Sequence, residues 1–172
     1  MSITPLTDAS LQYVRNPIGF PNPVNEKAAR VVAGGVVLLA VTAIAFRVDW
    51  LLPLIALGFL ARVLTGPTLS PLGQFATRVA APRLGEPKYV PGPPKRIAQA
   101  MGVTMSLAAV VLYFVFDAHT AAWVVTGVLA TAATLESVFA LCLGCQVFAV
   151  LMRVGLVPEE TCEACANIWA RA

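Results

Sequence analysis

The longest predominantly apolar segment, predicted at residues 120–142, decides what this chain can fold into. It begins near Thr120, meets its first charge at Glu136 and stays largely apolar as far as Cys142. A helix needs ~20 predominantly apolar residues to cross the hydrocarbon core of a bilayer. Because 58% of the 172 residues are hydrophobic and only 12% are charged, the chain is too apolar for a soluble domain of this size. The sequence therefore predicts an integral membrane protein.

Further apolar segments have the composition of membrane-spanning helices. With the first, they give four predicted spans, at about residues 28–46, 50–65, 97–116 and 120–142. A minimal turn at Val48 and Asp49 joins the first two spans, which indicates a helical hairpin. We expect an all-α fold, an integral membrane four-helix bundle with a short cytoplasmic helical cap.

The parts outside the spans are marked by prolines and glycines. Residues 1–25, which contain four prolines, are predicted as an irregular cytoplasmic or interfacial arm. Residues 26–145 form the four-span membrane domain, with a cytoplasmic loop at 66–96. Within this loop, residues 72–81 are predicted as a short amphipathic helix on the membrane surface. Residues 146–172 form the C-terminal cytoplasmic cap.

The basic residues are distributed unequally between the two ends of the predicted spans. One end has Arg15, Lys27, Arg30, Arg62, Arg78, Arg83, Lys88, Lys95, Arg96, Arg153 and Arg171, whereas the other end has Arg47 alone. Cytoplasmic loops of membrane proteins carry the excess of lysine and arginine. We therefore expect both termini, the long loop and all the cysteines in the cytoplasm. The net charge of +3 fits anionic lipid and gives no reason to expect nucleic acid.

The four cysteines form two CxxC pairs, Cys142 with Cys145 and Cys162 with Cys165. A CxxC, a gap of about 15 to 20 residues and a second CxxC is typical of a four-thiolate metal site. The spacing predicts one Zn or Fe ion with all four thiolates as ligands, which would clamp the cap to the last span. The sequence does not choose between the metals, since both accept tetrahedral sulfur coordination. His119 is predicted at the opposite end and is not expected as a ligand.

A second interpretation of the cysteines follows from their predicted compartment. Cytoplasmic thiols are kept reduced, so structural disulfides are not expected. A CxxC near a helix N-terminus, where thiol pKa values fall, also suits thiol-redox or sulfur-relay chemistry. A small transporter or assembly scaffold is a third interpretation. The sequence leaves open whether the protein is an enzyme, and no catalytic residue is assigned.

Glu136 is the one carboxylate that falls inside a predicted span near the cysteines. Ionised groups within a membrane are costly and are usually paired. Arg62 and Arg96, at the ends of neighbouring spans on the same side, are the expected partners. Whether Glu136 is structural or functional is left open. Gln99, one turn inside the third span, is expected to form a hydrogen bond across helices.

Three sequence segments together resemble an uncharacterised bacterial family of small four-span membrane proteins. They are Gly66-Pro67 with Ser70-Pro71, the run from Pro94 to Gly102, and Cys142-Leu143-Gly144-Cys145 at the end of the last span. The resemblance covers roughly residues 25 to 150, and the CLGC motif is its most specific part. The pair Cys162 and Cys165 resembles an actinobacterial-type branch.

The resemblance implies a location and a set of partners. It implies a multi-pass protein of the bacterial inner (plasma) membrane, embedded in the lipid bilayer. Members are often associated with thioredoxin-like or rhodanese-like proteins, which implies a soluble partner of one of these classes and thiol or sulfur chemistry. A homo-oligomer or a larger membrane complex is left open, and no substrate is indicated.

Overall fold

The computed structural model describes residues 24–90 and 92–155, and nearly all regular structure within them is helical. Strand β1 (Val24–Asn25) leads into α1 (Glu26–Phe46), which is followed by α2 (Leu51–Thr65). Helix α3 (Pro71–Phe75) continues through a π-helical turn (Ala76–Ala80) into α4 (Ala81–Arg83). After β2 (Tyr89–Val90) come α5 (Gly92–Phe114), α6 (His119–Phe139) and α7 (Leu143–Arg153). The all-α prediction is confirmed.

Three helices in the described ranges are long and apolar enough to cross a membrane: α1, α5 and α6. The 21 residues of α1 correspond to a helix of about 31 Å, close to the ~30 Å thickness of the hydrocarbon core. Large apolar side chains such as Leu38, Leu107 and Val124 are exposed on the outer faces of these helices. Such a surface is stable in lipid and costly in water. Helix α2 is shorter, with 15 residues.

The helices pack as a ring in which the two most extensive contacts join helices that are not consecutive in sequence. Helix α1 packs mainly against α6, α2 against α5, and α5 also against α6 and α7. The interior is built from Val36, Ala40, Phe59, Leu129 and Ala133, together with their neighbours. Alanines at these positions allow the helix backbones to approach closely.

The last span ends earlier than the predicted 120–142. Helix α6 stops at Phe139 because Ala140 adopts the left-handed conformation, with φ 56°. The Nε and Nη2 atoms of Arg30 on α1 donate hydrogen bonds, each 3.0 Å long, to the carbonyl oxygens of Ser137 and Val138. These carbonyls have no partner within the helix because the chain turns away after them. The turn separates Cys142 from the span and places it at the start of α7.

The third span begins earlier than the predicted residue 97, since α5 starts at Gly92. Pro93 and Pro94 occupy its first turn, where the missing backbone N–H groups would have no acceptor inside the helix. The five extra residues bring Lys95 onto the helix. The helix therefore fixes the direction of the Lys95 side chain.

The long cytoplasmic-side loop of the prediction is folded back onto α1. The predicted helix at 72–81 is found as the helical stretch from α3 to α4, capped by the Ser70 hydroxyl, which accepts from the Gly73 N–H at 3.2 Å. Ala76 and Ala81 pack against Ala28 and Val32 of α1. Strand β2 pairs antiparallel with β1. The loop thus covers the start of α1 at the same end as the α6–α7 turn.

Candidate dithiol site

Cys142 and Cys145 lie at the turn between α6 and α7. Cys142 is the N-cap residue of α7, with φ −85° and ψ 103°. Its carbonyl oxygen accepts hydrogen bonds from the N–H groups of Cys145 and Gln146, at 3.0 and 3.2 Å. Both thiols are free; Cys142 is buried and Cys145 is half-buried. The pair is therefore held by the first turn of a helix and not by a flexible loop.

Gly144 allows this helix to lie directly on α5. A Cβ atom at Gly144 would be 2.6 Å from the backbone N and Cα atoms of Ala98. Such a distance is well inside van der Waals contact, and the backbone of a packed helix does not move aside easily. Glycine at the third position of the CLGC motif thus brings the two cysteines against the first turns of α5.

An ion pair between α5 and α6 lies next to the cysteines. Lys95 Nζ is 2.7 Å from Glu136 Oε1, and the exposed fractions of the two side chains are 7% and 15%. The expectation that Arg62 or Arg96 pairs with Glu136 is wrong. Arg96 points to solvent, because adjacent helical residues differ by ~100° in direction and Lys95 takes the inward one.

Arg62 makes a separate set of contacts, one turn further along the same face of α5. Its Nε donates to Gln99 Oε1 at 2.9 Å, which confirms the predicted cross-helix hydrogen bond of Gln99. Its Nη1 donates to Ser70 Oγ at 3.4 Å, and the guanidinium lies 4.5 Å from the centroid of the Phe59 ring. Its Nη2 is buried without a partner in the described residues. The Cys end of the bundle thus holds two buried cations, Arg62 and Lys95, close to one carboxylate.

The surroundings of the two thiols make them unequal acids. Hydrogen bonding from the Cys145 thiol, assisted by the nearby Lys95 ammonium and opposed by burial and by Glu136, lowers the pKa of Cys142 to about 7. Its hydrogen bond to Cys142, together with burial, raises the pKa of Cys145 above its ordinary value. One proton is therefore shared by the pair near neutral pH, with Cys142 as the thiolate. A thiolate at a helix N-terminus beside a lysine is the form that performs nucleophilic and leaving-group chemistry.

Two predicted metal ligands, Cys162 and Cys165, remain to be placed, as does His119, which was predicted not to be a ligand. Cys162 and Cys165 lie outside the described residues, so the four-thiolate Zn or Fe site stays a prediction. Within residues 24–90 and 92–155, no three His, Cys, Asp or Glu side chains are grouped to hold a metal ion. His119 begins α6, at the opposite end of this helix from Cys142 and Cys145, and stacks on Tyr113 with ring centroids 4.4 Å apart.

Residues 24–153 match the family described as Domain of unknown function (DUF4395). The chain belongs to this family. No curated protein and no solved structure matches it. The resemblance to an uncharacterised family is confirmed to this extent. The matched residues include Cys142 and Cys145 of this DUF4395 domain and end before Cys162 and Cys165.

Lys95 is the site residue of this DUF4395 protein that sequence reasoning missed. The predicted start of the third span at residue 97 left Lys95 in the loop, where its direction is undefined. The available signal was the Pro93-Pro94 pair, because consecutive prolines are tolerated in a first helical turn and α5 could have been extended back to them. Ala98 was missed for another reason, since its contact with Gly144 depends on how two helices pack.

Proposed function

We propose that this protein is a membrane-bound dithiol that exchanges electrons with a soluble thiol protein of the thioredoxin-like class. The placement of Cys142 at the start of α7, hydrogen-bonded to the Cys145 thiol and within the influence of the Lys95 charge, carries the proposal. A dithiol at a helix start next to a fixed cation resembles the arrangement of thiol–disulfide exchange sites. The partner class is the one that the family resemblance implies.

The difference in exposure and acidity between the two cysteines decides which sulfur the partner attacks and which one leaves. Cys145 is the more exposed sulfur, so the thiolate of a reduced partner attacks Cys145 Sγ of the Cys142–Cys145 disulfide. The S–S bond breaks and Cys142 leaves as the thiolate beside Lys95, since a thiol of lower pKa leaves faster. A second partner thiol then attacks the mixed disulfide and Cys145 takes up its proton. The partner dithiol is oxidised to a disulfide and this protein is reduced.

The same site with a rhodanese-like partner would carry sulfur in place of electrons. The persulfide of such a partner would hand its outer sulfur to a cysteine of the pair, and no partner disulfide would be formed. The presence of a second thiol beside Cys142 favours electron exchange, because the two cysteines can form the intramolecular disulfide that accepts the two electrons of the partner.

The architecture that we propose is the predicted four-span bundle with the cysteines on the cytoplasmic side. Helix α2 is the fourth membrane segment, and its short length of about 22 Å is met by thinning of the bilayer or by its flanking residues. Lys27, Arg30, Arg62, Arg78, Arg83, Lys88, Lys95 and Arg96 belong to the Cys end of the described bundle, and Arg47 belongs to the other end. The positive-inside rule supports a cytoplasmic Cys end in a bacterial inner membrane, with α7 as the first part of the cap.

The exchange is tested in a variant in which Cys162→Ser and Cys165→Ser leave only the first pair. The oxidised, detergent-solubilised variant is mixed with a thioredoxin-like protein that retains only its attacking cysteine. We expect a mixed disulfide, mapped by peptide mass spectrometry to Cys145 and not to Cys142. A partner attached to Cys142, or no reaction while a denatured sample of the same variant reacts, would contradict the mechanism. Persulfide transfer without a mixed disulfide would indicate the sulfur relay.

The four-thiolate metal site is the second candidate function, and the spacing of the two CxxC pairs favours it. A closed site of this kind is inert toward alkylation, whereas an exchanging thiol reacts. Elemental analysis of the purified full chain distinguishes them. Near-stoichiometric Zn or Fe that is lost in a Cys145→Ser, Cys162→Ser double variant would favour the metal, and metal-free protein with fast-reacting thiols would favour exchange.

A further inference from the structure

A cavity of about 260 Å³ lies inside the bundle beside the dithiol. Its walls come mainly from α1, α5 and α6, with Phe59 of α2 on one side. Leu143 and Gly144, the two residues between the cysteines, form part of its wall. A ligand in this cavity would therefore touch the CxxC turn from inside the bundle.

The cavity has two polar side chains, Gln99 and Glu136, in an otherwise apolar wall. The carbonyl oxygen of Gln99 is occupied by the Arg62 Nε donor. This bond fixes the amide and leaves its NH₂ group, which donates no hydrogen bond to any described residue. One oxygen of Glu136 accepts from Lys95, and the other has no partner among the described residues. The wall of the cavity thus includes an amide donor and a carboxylate acceptor that have no partner among the described residues.

The cavity reaches the lipid-facing surface of α6. Val128 is on its wall and is 53% exposed on the outer face of this helix. Ala132, one turn further along the same face, is on the wall and half-buried. A molecule dissolved in the bilayer can therefore enter between the side chains at this place without crossing water.

Size and polarity limit what the cavity can hold. A cavity of ~150 Å³ accepts benzene, and drug-sized ligands need ~300 Å³ or more, so 260 Å³ suits one substituted six-membered ring. A lipid acyl chain would leave the Gln99 N–H groups without an acceptor in an apolar space, which is unfavourable. A ring with carbonyl oxygens satisfies Gln99 and places its apolar body against Phe59 and Leu129.

We propose that this cavity binds the head group of a membrane quinone, which accepts two electrons from the Cys142–Cys145 dithiol. This step rests on the proposed exchange function and supplies an acceptor for the two electrons that the dithiol takes from the soluble partner. The S–H bond of Cys145 breaks, an S–S bond forms between Cys145 and the Cys142 thiolate, and the quinone takes up two electrons. Two O–H bonds form on the quinone, one with the proton from Cys145 and one with a proton from water, so that it becomes a hydroquinone. The oxidised pair is then ready for the next reduced soluble partner.

The test uses the reduced full chain in detergent without oxygen and a benzoquinone with a short alkyl tail. All ring positions of this quinone are substituted, so thiols cannot add to it. We expect one hydroquinone per disulfide, measured by quinone absorbance and by thiol titration. Gln99→Leu removes the donor at nearly constant volume, and we expect the half-saturating quinone concentration to rise roughly tenfold.

A second variant and its control distinguish an effect on the cavity from a general effect on folding. Ala132→Phe places a ring in the cavity and should abolish quinone reduction. Thr131→Phe adds the same ring to the exposed, lipid-facing side of α6 and should leave quinone reduction unchanged. Both variants should keep the wild-type rate of mixed-disulfide formation with the soluble thiol partner, which checks that the dithiol site is intact.

The outcomes distinguish the two proposals. If the dithiol exchanges with the soluble partner but the quinone is not reduced, or if Ala132→Phe reduces it as fast as wild type, the quinone site is wrong and the exchange function stands. If no exchange occurs but the quinone raises the thermal unfolding midpoint of wild type and not of Ala132→Phe, the cavity binds quinone and the exchange function is wrong. If neither effect is seen, both proposals are wrong.

Discussion

Lys95 and Gly144 contribute to the site in different ways, one by charge and one by the absence of a side chain. Lys95 is held by Glu136 in a mostly buried position, where a charge acts strongly on its neighbours because little water screens it. Gly144 supplies no interaction, yet it sets the distance between α7 and α5. Both residues act on the cysteines without reacting themselves.

Replacement of Lys95 should make Cys142 a weaker acid. Hydrogen bonding from Cys145 and the Lys95 ammonium lower the pKa of Cys142 to about 7, so roughly half of it is thiolate at pH 7. In Lys95→Met the midpoint should move upward, toward the ordinary cysteine range, and the thiolate fraction at pH 7 should fall. Ultraviolet absorbance of the thiolate against pH measures this in the variant without Cys162 and Cys165. Lys95→Arg retains the charge and is the control; equal midpoints in all three proteins would show that Lys95 is not the cause.

Gly144→Ala should displace α7, whereas Gly127→Ala should not disturb the bundle. The alanine methyl group at position 144 would lie 2.6 Å from the Ala98 backbone, but a methyl group at Gly127 meets nothing within 4 Å. Overpacking of this kind costs ~1–3 kcal/mol, whereas Gly→Ala in an open helical position is neutral or stabilising. Thermal unfolding in detergent and the rate of mixed-disulfide formation measure both effects. Equal behaviour of the two variants would contradict the close contact.

At the scale of elements, the site depends on where α5 begins and where α6 ends. The Pro93-Pro94 start of α5 brings Lys95 onto the helix, and the left-handed Ala140 ends α6 three residues after Glu136. Arg30 of α1 binds the last carbonyls of α6 and so stabilises this ending. The turn that carries Cys142 therefore depends on a residue more than a hundred positions earlier in the sequence.

Arg30→Met should destabilise the end of α6 by removing two hydrogen bonds to backbone carbonyls. Each such bond contributes ~1 kcal/mol, so we expect a loss of roughly 2 kcal/mol and a lower unfolding midpoint in detergent. Arg78→Met is the matched control, because Arg78 is exposed on the π-helical turn and has no described partner. An Arg30→Met variant as stable as the Arg78→Met variant would argue against this role of the cap.

At the scale of the whole molecule, the bundle has a charged end and an apolar middle. The loop helices, the small β1–β2 pair, both buried cations and the dithiol all belong to the charged end. The opposite end contains Arg47, Tyr113, His119 and Trp123, which form an aromatic and cation–π cluster. The two described cysteines and both buried cations therefore lie at one end of the described bundle.

The topology proposal predicts which ends a cytoplasmic reporter can reach. A reporter that is active only in the cytoplasm should work when fused after Ala172 and should fail when inserted near His119. The lone Arg47 at the His119 end and the basic residues at the other end are the physical reason. Expression levels of the two fusions, measured by blotting, are the control. The reverse pattern of activity would move the cysteines to an oxidising compartment and would remove the proposed soluble partner.

The sequence by itself determined that the chain is all-α and apolar enough for a membrane, and that Cys142 and Cys145 are at the basic end. These properties depend on local composition and not on contacts between distant residues. The lengths of apolar runs and the positions of charges are therefore sufficient to predict them. The same reasoning located the loop helix at 72–81 and the cross-helix role of Gln99. Only the tertiary structure decided that Lys95 pairs with Glu136, that Gly144 contacts Ala98, and that Cys142 begins a new helix. Adjacent residues of a helix differ by ~100° in direction, so where a helix begins decides whether a residue near its end has a fixed direction. The packing of separate helices then decides which of these side chains meet.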